Sequence, residues 1–205
     1  MDFSKTIESR RSVNFFDPAK DVDDALMRKI YDLAKLAPSS FNLQPWRAII
    51  VRDPENKAKL QKCAFNQPKI SQASCTLILI GDKKAYQKMD PIIDDNIALG
   101  YMKEEMRDAI KGMAKGLYEG DNERAFVGRN TGLFAMAFML AAQSLGVNTH
   151  PMDGFDSAAV RDAFHVPDEY DIVMLIAVGI FDDAKTLLPR TSRRSYDEAF
   201  IKESL

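Results

Sequence analysis

The sequence predicts an α+β fold in which a mixed central sheet is flanked by helices. Three short apolar runs rich in β-branched residues are continuous, as strands covered on both faces are: "AIIV" at 48–51, "TLILI" at 76–80 and "DIVMLIAVGIF" at 171–181. Stretches with helical spacing of apolar residues separate these runs, and the chain has no internal repeat and no Gly/Ser linker. A single domain over residues 1–205 is therefore the economical prediction.

Two helices are predicted in the N-terminal part. The first covers Ser4 to Arg10 and is followed by a break at Pro18. The second begins near a capping Asp21 or Asp23 and ends at Pro38. Its apolar face is expected to consist of Leu26, Ile30, Leu33 and Ala37, which recur at spacings of four, three and four.

The middle of the chain predicts further helices between the first two strands and after the second. "PENKAKLQKCA", at 54–64, has proline near its first turn. Residues 90–119 are charged, patterned helically and interrupted by three glycines, so we expect a mobile lid there, within a pocket wall formed by residues 90–127. The interrupting glycines are Gly100, Gly112 and Gly116.

The C-terminal part predicts one central helix, one short helix and a tail. Residues 131–146 are apolar on every side and stop at Gly146, a good residue for a left-handed C-terminal cap. A short helix through Val160 and Phe164 precedes the third strand. The tail that begins at Asp182 is polar and rich in arginine.

Composition excludes several classes of partner. With 28 Lys+Arg against 30 Asp+Glu the net charge is -2, which gives no reason to expect nucleic acid or an anionic membrane as partner. The N-terminal residues lack a signal-peptide pattern, and the longest apolar run, 133–142, is far shorter than the roughly 20 residues that span a bilayer. We therefore expect a cytoplasmic protein.

Cysteine and histidine give no metal site. Cys63 and Cys75 have neither CxxC spacing nor other ligands nearby, so we interpret them as reduced thiols, with a redox pair as the weaker alternative. His150 and His165 are the only histidines and are too few to predict a metal centre.

Four polar clusters carry the chemistry. "SRRS", at 9–12, is either a phosphate grip or a helix end favoured by cations. "PSSFNLQPW", at 38–46, fixes many hydrogen-bonding groups between two prolines. "FNQPK", at 65–69, offers donors to a ring or is a surface loop. "HPMDGFD", at 150–156, contains a Gly154 that admits a flat ligand or makes a turn, and it is joined by the late basic stretch "PRTSRRS".

In this order the clusters resemble the FMN-dependent nitroreductase family over nearly the whole chain. The family pattern is an early Arg-Arg-Ser, an Ala-Pro-Ser-Ser-x-Asn-x-Gln-Pro-Trp stretch, an Asn before the next strand, a Pro-x-acid-Gly-Phe loop and a basic tail. The matching residues here are Arg10, Arg11 and Ser12, "APSSFNLQPW" at 37–46, Asn66, "PMDGF" at 151–155, and Arg190, Arg193 or Arg194.

The resemblance implies an intertwined homodimer with FMN at its interface. The loop with Pro38, Ser39, Ser40 and Asn42 would reach the flavin held by the other subunit, and the tail at 182–205 would also reach the partner. Gln44 would fix the loop, and we interpret Trp46 as core structure.

The resemblance also assigns roles around the flavin. Arg10, Ser12 and one or two tail arginines would hold the phosphate, with Arg11 nearer the ribityl chain. The pyrimidine edge would face Asn66 and Lys69. The ring would lie along Pro151, Met152, Asp153 and Gly154, with a backbone N–H of Asp153 or Gly154 directed at N5.

Two positions depart from the family pattern. Asn14 stands where a basic residue is common, and Asp153 stands where a longer Glu is common. No catalytic side chain is expected, because the flavin carries the chemistry.

The implied activity is NAD(P)H-dependent reduction of nitroaromatics, quinones or similar acceptors by a ping-pong mechanism, with NADH or NADPH as donor. One alternative is a flavoprotein of the same fold that oxidises another small molecule, such as a peptide-derived heterocycle. The other is a flavin-binding or regulatory protein with little turnover.

Overall fold

Four strands form the sheet in the computed structural model, which describes residues 2–204. They are β1 (Trp46–Val51), β2 (Cys75–Asp82), β3 (Asn148–Met152) and β4 (Tyr170–Gly179). Their order is β1-β2-β4-β3, and every neighbouring pair is antiparallel. The α+β class is confirmed, while the parallel part of the expected mixed sheet is a single bridge between Ser12 and Thr149. The predicted domain limits fall on Met1 and Leu205, which lie outside the described residues.

Nine α-helices connect and cover the strands of the described chain. They are α1 (Phe3–Ser9), α2 (Asp24–Ala34), α3 (Pro54–Cys63), α4 (Pro68–Gln72), α5 (Asp90–Ala98), α6 (Arg107–Tyr118), α7 (Asn122–Ser144), α8 (Ser157–Ala163) and α9 (Tyr196–Ala199). Short 3-10 turns occupy Ser40–Asn42, Ala85–Gln87 and Glu104–Met106.

The side chains of β2 alternate between two cores, one on each face of the sheet. Leu77 and Leu79 join a core with α2 and α7, and Ile78 and Ile80 join a second core with α3, α4 and α8. A third core lies outside the sheet. It joins Leu43 to the 3-10 turn Ala85–Gln87 and to residues of α5, α6 and the first turns of α7.

The strand predictions need two corrections. β1 is an edge strand with Arg47, Ala48 and Ile50 exposed, so it is not covered on both faces as β2 is. β3 was not predicted, because "NTHPM" is polar and contains proline. Pro151 is tolerated because β3 is the other edge of the sheet, where one side of the strand needs no ladder partner.

The second predicted helix is present with a shifted face and an earlier end. Asp23 is its N-cap, and its side chain accepts from the backbone N–H of Leu26 at 2.7 Å. The buried face is Met27, Ile30 and Ala34, whereas Leu33 is 48% exposed. The helix ends at Ala34, before Pro38 is reached.

Two of the four glycines predicted to end or interrupt helices do so, and two do not. Gly146 has φ of +79° after α7 and Gly100 has φ of +74° after α5, so both end helices in the left-handed conformation. Gly112 and Gly116 lie inside α6 and do not interrupt it.

The central helix α7 begins nine residues before the predicted start at residue 131, and it is not apolar on every side. Leu133 and Met136 are exposed, while ten other residues of α7 are buried. By length and composition alone α7 could cross a membrane, but more than half of its apolar window is buried inside the fold. We therefore describe it as a core helix.

Candidate functional site

Arginines from both ends of the chain meet at the C-terminal end of α1. Arg190 donates from Nη2 to the carbonyl oxygens of Glu8 at 2.9 Å and Arg10 at 2.7 Å. In the reverse direction, Arg11 donates from Nη2 to the carbonyl oxygen of Leu188 at 2.6 Å. The first part of the tail is thus held against the end of α1.

This arginine cluster, consisting of Arg10, Arg11, Arg190 and Arg193, is a concentration of unpaired positive charge. Partial burial, followed by repulsion from Arg190, Arg193 and Arg11, lowers the pKa of Arg10. Within residues 2–204 no carboxylate lies within 4 Å of any of the four. Planar guanidinium groups without acidic partners are suited to bind a phosphate. No interaction within the described chain joins Arg194 to this cluster.

The segment after the arginines lies beside β3. Ser12 forms a parallel bridge with Thr149, and the N–H of Val13 donates to the carbonyl oxygen of Thr149 at 3.2 Å. His150 Nδ1 lies 2.8 Å from the carbonyl oxygen of Val13. Because residues 151 and 152 are the last two residues of β3, the first and fourth clusters are adjacent. Asn14 follows this segment and is exposed.

The third cluster joins the same region through Gln67, which sequence reasoning missed. Gln67 donates from Nε2 to the carbonyl oxygen of Gly154 at 2.7 Å and accepts at Oε1 from Lys69 Nζ at 3.1 Å. Partial burial lowers the pKa of Lys69. Asn66 is exposed, with a left-handed φ of +58° that asparagine tolerates better than most residues.

Residues 151–154 comprise the end of β3 and the first residues of the loop that follows it, and they differ in exposure. Met152, the last residue of β3, is buried in the second core, so its side chain is unavailable to a ligand. Gly154 has no left-handed φ, and a Cβ there would meet nothing closer than 3.5 Å, the Nε2 atom of Gln67. The described chain therefore has space for a side chain at this position. Asp153 is exposed and Pro151 is half-buried.

The second cluster forms a tightly bonded loop at residues 38–44. Ser39 Oγ accepts from the N–H of Gln44 at 3.0 Å, and the N–H of Ser40 donates to Oδ1 of the buried Asn130 on α7 at 2.8 Å. Gln44 Nε2 donates to the carbonyl and Oδ1 of Asn42, both at 3.1 Å. Trp46 is 4% exposed and its ring stacks on Phe134 at 4.9 Å, as expected of core structure.

One chain does not bring this loop to the other three clusters. The loop precedes β1, whereas residues 151–154 begin in the last two residues of β3, at the opposite edge of the sheet. Three strand spacings of about 4.8 Å separate these edges by about 14 Å. No hydrogen bond or ion pair within the described residues links the loop to residues 10–14, 66–69 or 151–154. The site is therefore divided within a protomer, with Pro38 exposed on the far side.

These features describe an α+β protein in which a cluster of arginines, a candidate site for an anionic ligand, lies near a loop that contains a glycine. The sequence profile described as the Nitroreductase family matches residues 7–180. The chain belongs to this family.

Individual relatives agree. MhqN of Bacillus subtilis, whose name assigns it to the NAD(P)H nitroreductases, is 32% identical over 200 residues, covering 96% of this chain and 97% of MhqN. The crystal structure of the nitroreductase ydfN from B. subtilis is 32% identical, covers 97% of both chains and superposes with a TM-score of 0.91. A nitroreductase from Exiguobacterium sibiricum, solved in complex with FMN, is 31% identical over 94% of both chains with a TM-score of 0.81.

The predicted family and fold are confirmed by these findings, and the predicted cofactors, FMN with NAD(P)H, are those that the relatives carry in their names. The donor set in this chain fits FMN. Guanidinium groups and the Ser12 hydroxyl suit a phosphate, and Asn66 and Lys69 are donors suited to ring carbonyl groups.

Proposed function

We propose that this protein is an FMN-dependent oxidoreductase that uses NADH or NADPH to reduce nitroaromatics, quinones or similar acceptors. The observation that carries the proposal is the arginine cluster, which has no carboxylate partners and lies next to the segment bonded to β3. An arrangement of like charges is costly without an anion and favourable with one, as expected of a site that holds a phosphate-bearing cofactor.

The residues divide the binding of FMN between them. Arg10, Ser12, Arg190 and Arg193 bind the phosphate, and Arg11 lies toward the ribityl chain. Asn66, Lys69 and the backbone of residues 151–154 orient the ring system, with Asn14 at its margin. FMN, when bound, supplies the hydride-accepting and electron-donating chemistry, and the chain positions it.

We also propose a homodimer in which Pro38, Ser39, Ser40 and Asn42 serve the partner's cofactor. The separation of this loop from the other clusters within one protomer supports the proposal. In this arrangement the chain is a single domain whose residues 90–127 wall the acceptor pocket and whose tail, 182–205, reaches the partner. A cytoplasmic location accords with two free cysteines, Cys63 and Cys75.

The test of the proposal is the visible absorbance of the purified protein before and after addition of FMN. We expect a yellow protein with one FMN per subunit, and much weaker binding of riboflavin, which lacks the phosphate that the arginines hold. A colourless protein that does not take up added FMN would contradict the assignment.

We propose ping-pong kinetics because donor and acceptor share one pocket. Hydride transfer needs reacting atoms about 3 to 3.5 Å apart, which leaves no space for both substrates over one reactive position. Initial rates of NAD(P)H consumption at several quinone concentrations should give parallel double-reciprocal lines. Intersecting lines would show that both substrates bind together, and negligible turnover in a flavin-loaded protein would favour a regulatory role.

A further inference from the structure

We propose that His150 is a positioning residue that holds the Ser12–Asn14 segment against β3 and so sets the geometry of the phosphate site. This inference rests on the proposed FMN site and concerns a residue that lies outside the expected cofactor contacts. His150 precedes the ring-side loop directly in sequence, and its imidazole bonds the segment that follows the arginines.

The hydrogen bond fixes the tautomer of His150. Val13 is 1% exposed, and its carbonyl oxygen can only accept, so Nδ1 of His150 must carry the proton and donate across 2.8 Å. The same segment is bonded from its N–H to Thr149. Two consecutive residues of β3 therefore hold Val13 from both sides, one through the backbone and one through a side chain.

The surroundings of His150 favour its neutral form. Partial burial and, to a lesser degree, the positive charge of Lys69 on α4 lower the pKa of His150, and the bond to Val13 opposes this shift. Its neighbour in the register of β4 is the apolar Ala177, and Val13 presents only a carbonyl oxygen. Lys69 is thus the charged group that acts on His150, and it is also a proposed ring-side donor.

Three substitutions distinguish a positioning role of His150 from a role in packing alone. His150→Leu removes the donor and keeps an apolar side chain, whereas His150→Asn places an amide nitrogen close to the position of Nδ1. His165→Asn is the matched control, because His165 is exposed and has a left-handed φ of +52°, which asparagine tolerates.

The first measurement is FMN affinity by quenching of flavin fluorescence. We expect about tenfold weaker binding for His150→Leu, equivalent to about 1.4 kcal/mol, with near wild-type binding for His150→Asn and His165→Asn. Riboflavin affinity should change less than FMN affinity in His150→Leu, because the phosphate site is displaced. Equal FMN affinity in all three variants would overturn the inference, while failure of the wild type to bind FMN would overturn the proposed function instead.

The second measurement does not need the cofactor. Hydrogen exchange of the backbone amide of Val13 should be faster in cofactor-free His150→Leu than in the wild type, and restored in His150→Asn. Unchanged exchange in His150→Leu would show that β3 holds the segment without the histidine, and the inference would fail whatever the state of the FMN site.

The third measurement is the pH dependence of stability, which tests whether His150 is neutral in the folded protein. The folded protein lowers the pKa of His150, so the unfolded chain binds the proton more readily. The wild type should therefore lose stability relative to His150→Asn as pH falls below about 6.5, the ordinary pKa of histidine. Parallel pH profiles for the two proteins would contradict the inferred neutral donor.

Discussion

The guanidinium of Arg10 lies among like charges, and this arrangement is unfavourable until an anion is bound. Repulsion from Arg190, Arg193 and Arg11 acts on a group that is already partly buried. Removing Arg10 therefore relieves repulsion in the empty protein while it removes a donor in the loaded one, so stability and affinity should respond in opposite directions.

Arg10→Ala should weaken FMN binding about a hundredfold without loss of the fold. A hydrogen bond to a charged group contributes about 1.5–3 kcal/mol, and a bidentate contact contributes two of them. Fluorescence titration gives the affinity, and circular dichroism checks the fold. Arg124→Ala is the charge-matched control, because Arg124 is exposed and pairs with Asp171 on the surface. Unchanged FMN affinity in Arg10→Ala would mean that "SRRS" is only a helix end.

At this scale the sequence identifies residues whose role follows from their type and motif, and it misses those whose role follows from contact. The arginine cluster was predicted, including the participation of the tail. Gln67 and His150 were not, because their partners Gly154 and Val13 are 87 and 137 residues away along the chain. A glutamine or a single histidine gives no local signal of such a contact.

Among the structural elements, the loop at residues 38–44 is held in an unusual backbone conformation. Phe41, Asn42 and Gln44 have φ values of +51°, +55° and +43°, which residues other than glycine seldom adopt. The conformation persists because hydrogen bonds and the third core fix it, above all the bond from the N–H of Ser40 to Asn130.

Replacing Asn130 by Leu should destabilise the protein by about 1–3 kcal/mol, because the N–H of Ser40 loses its buried acceptor. The neighbouring Thr131→Val is the matched control on the same helix. Thr131 is fully buried and its Oγ1 has no partner in the described structure, so the change should be neutral or stabilising. The midpoints of urea unfolding measure the change in stability of both variants. Equal losses in the two variants would contradict this account of the loop.

The strands and helices that were predicted correctly are those whose apolar residues form a clear pattern in the sequence. β2 and β4 were predicted because unbroken apolar runs are typical of strands buried on both faces. The strand β3 and the exposure of β1 were not predicted. Both are edge strands, and an edge position depends on strand order and not on local sequence. The first turns of α7 were missed because "NERAFVGRN" carries charges that face solvent while Phe126 and Val127 are buried.

For the whole molecule, the central question is which subunit completes each site. The loop at 38–44 and the arginine cluster lie in different parts of one protomer, with the loop beside one edge strand and residues 151–154 beside the other. We propose that two copies complete two sites reciprocally.

Mixed dimers test this proposal. One protomer carries Arg10→Ala, and the other carries Ser40→Ala with Asn42→Gly, a change that keeps a left-handed residue possible at position 42. Each variant alone should have low activity. A heterodimer purified through two different tags should regain up to about half of the wild-type activity, because one of its two sites is built only from unaltered residues. If loop and cluster serve the same protomer, the heterodimer will remain inactive.

The third core also bears on how such a protein can diversify. Tyr86, Ile93 and Ala114 pack against the first turns of α7 and Leu43, outside the two cores that enclose the sheet. The arginine cluster contributes no residue to this core, whereas the segment 85–118 does contact β2, through the ion pair of Lys88 with Asp82. The ring of Phe41, which lies edge-on to Tyr118 at 6.2 Å, joins this core to the loop at residues 38–44. We therefore propose that changes in acceptor range can arise within residues 85–118 while the arginine cluster, our proposed phosphate site, stays unchanged.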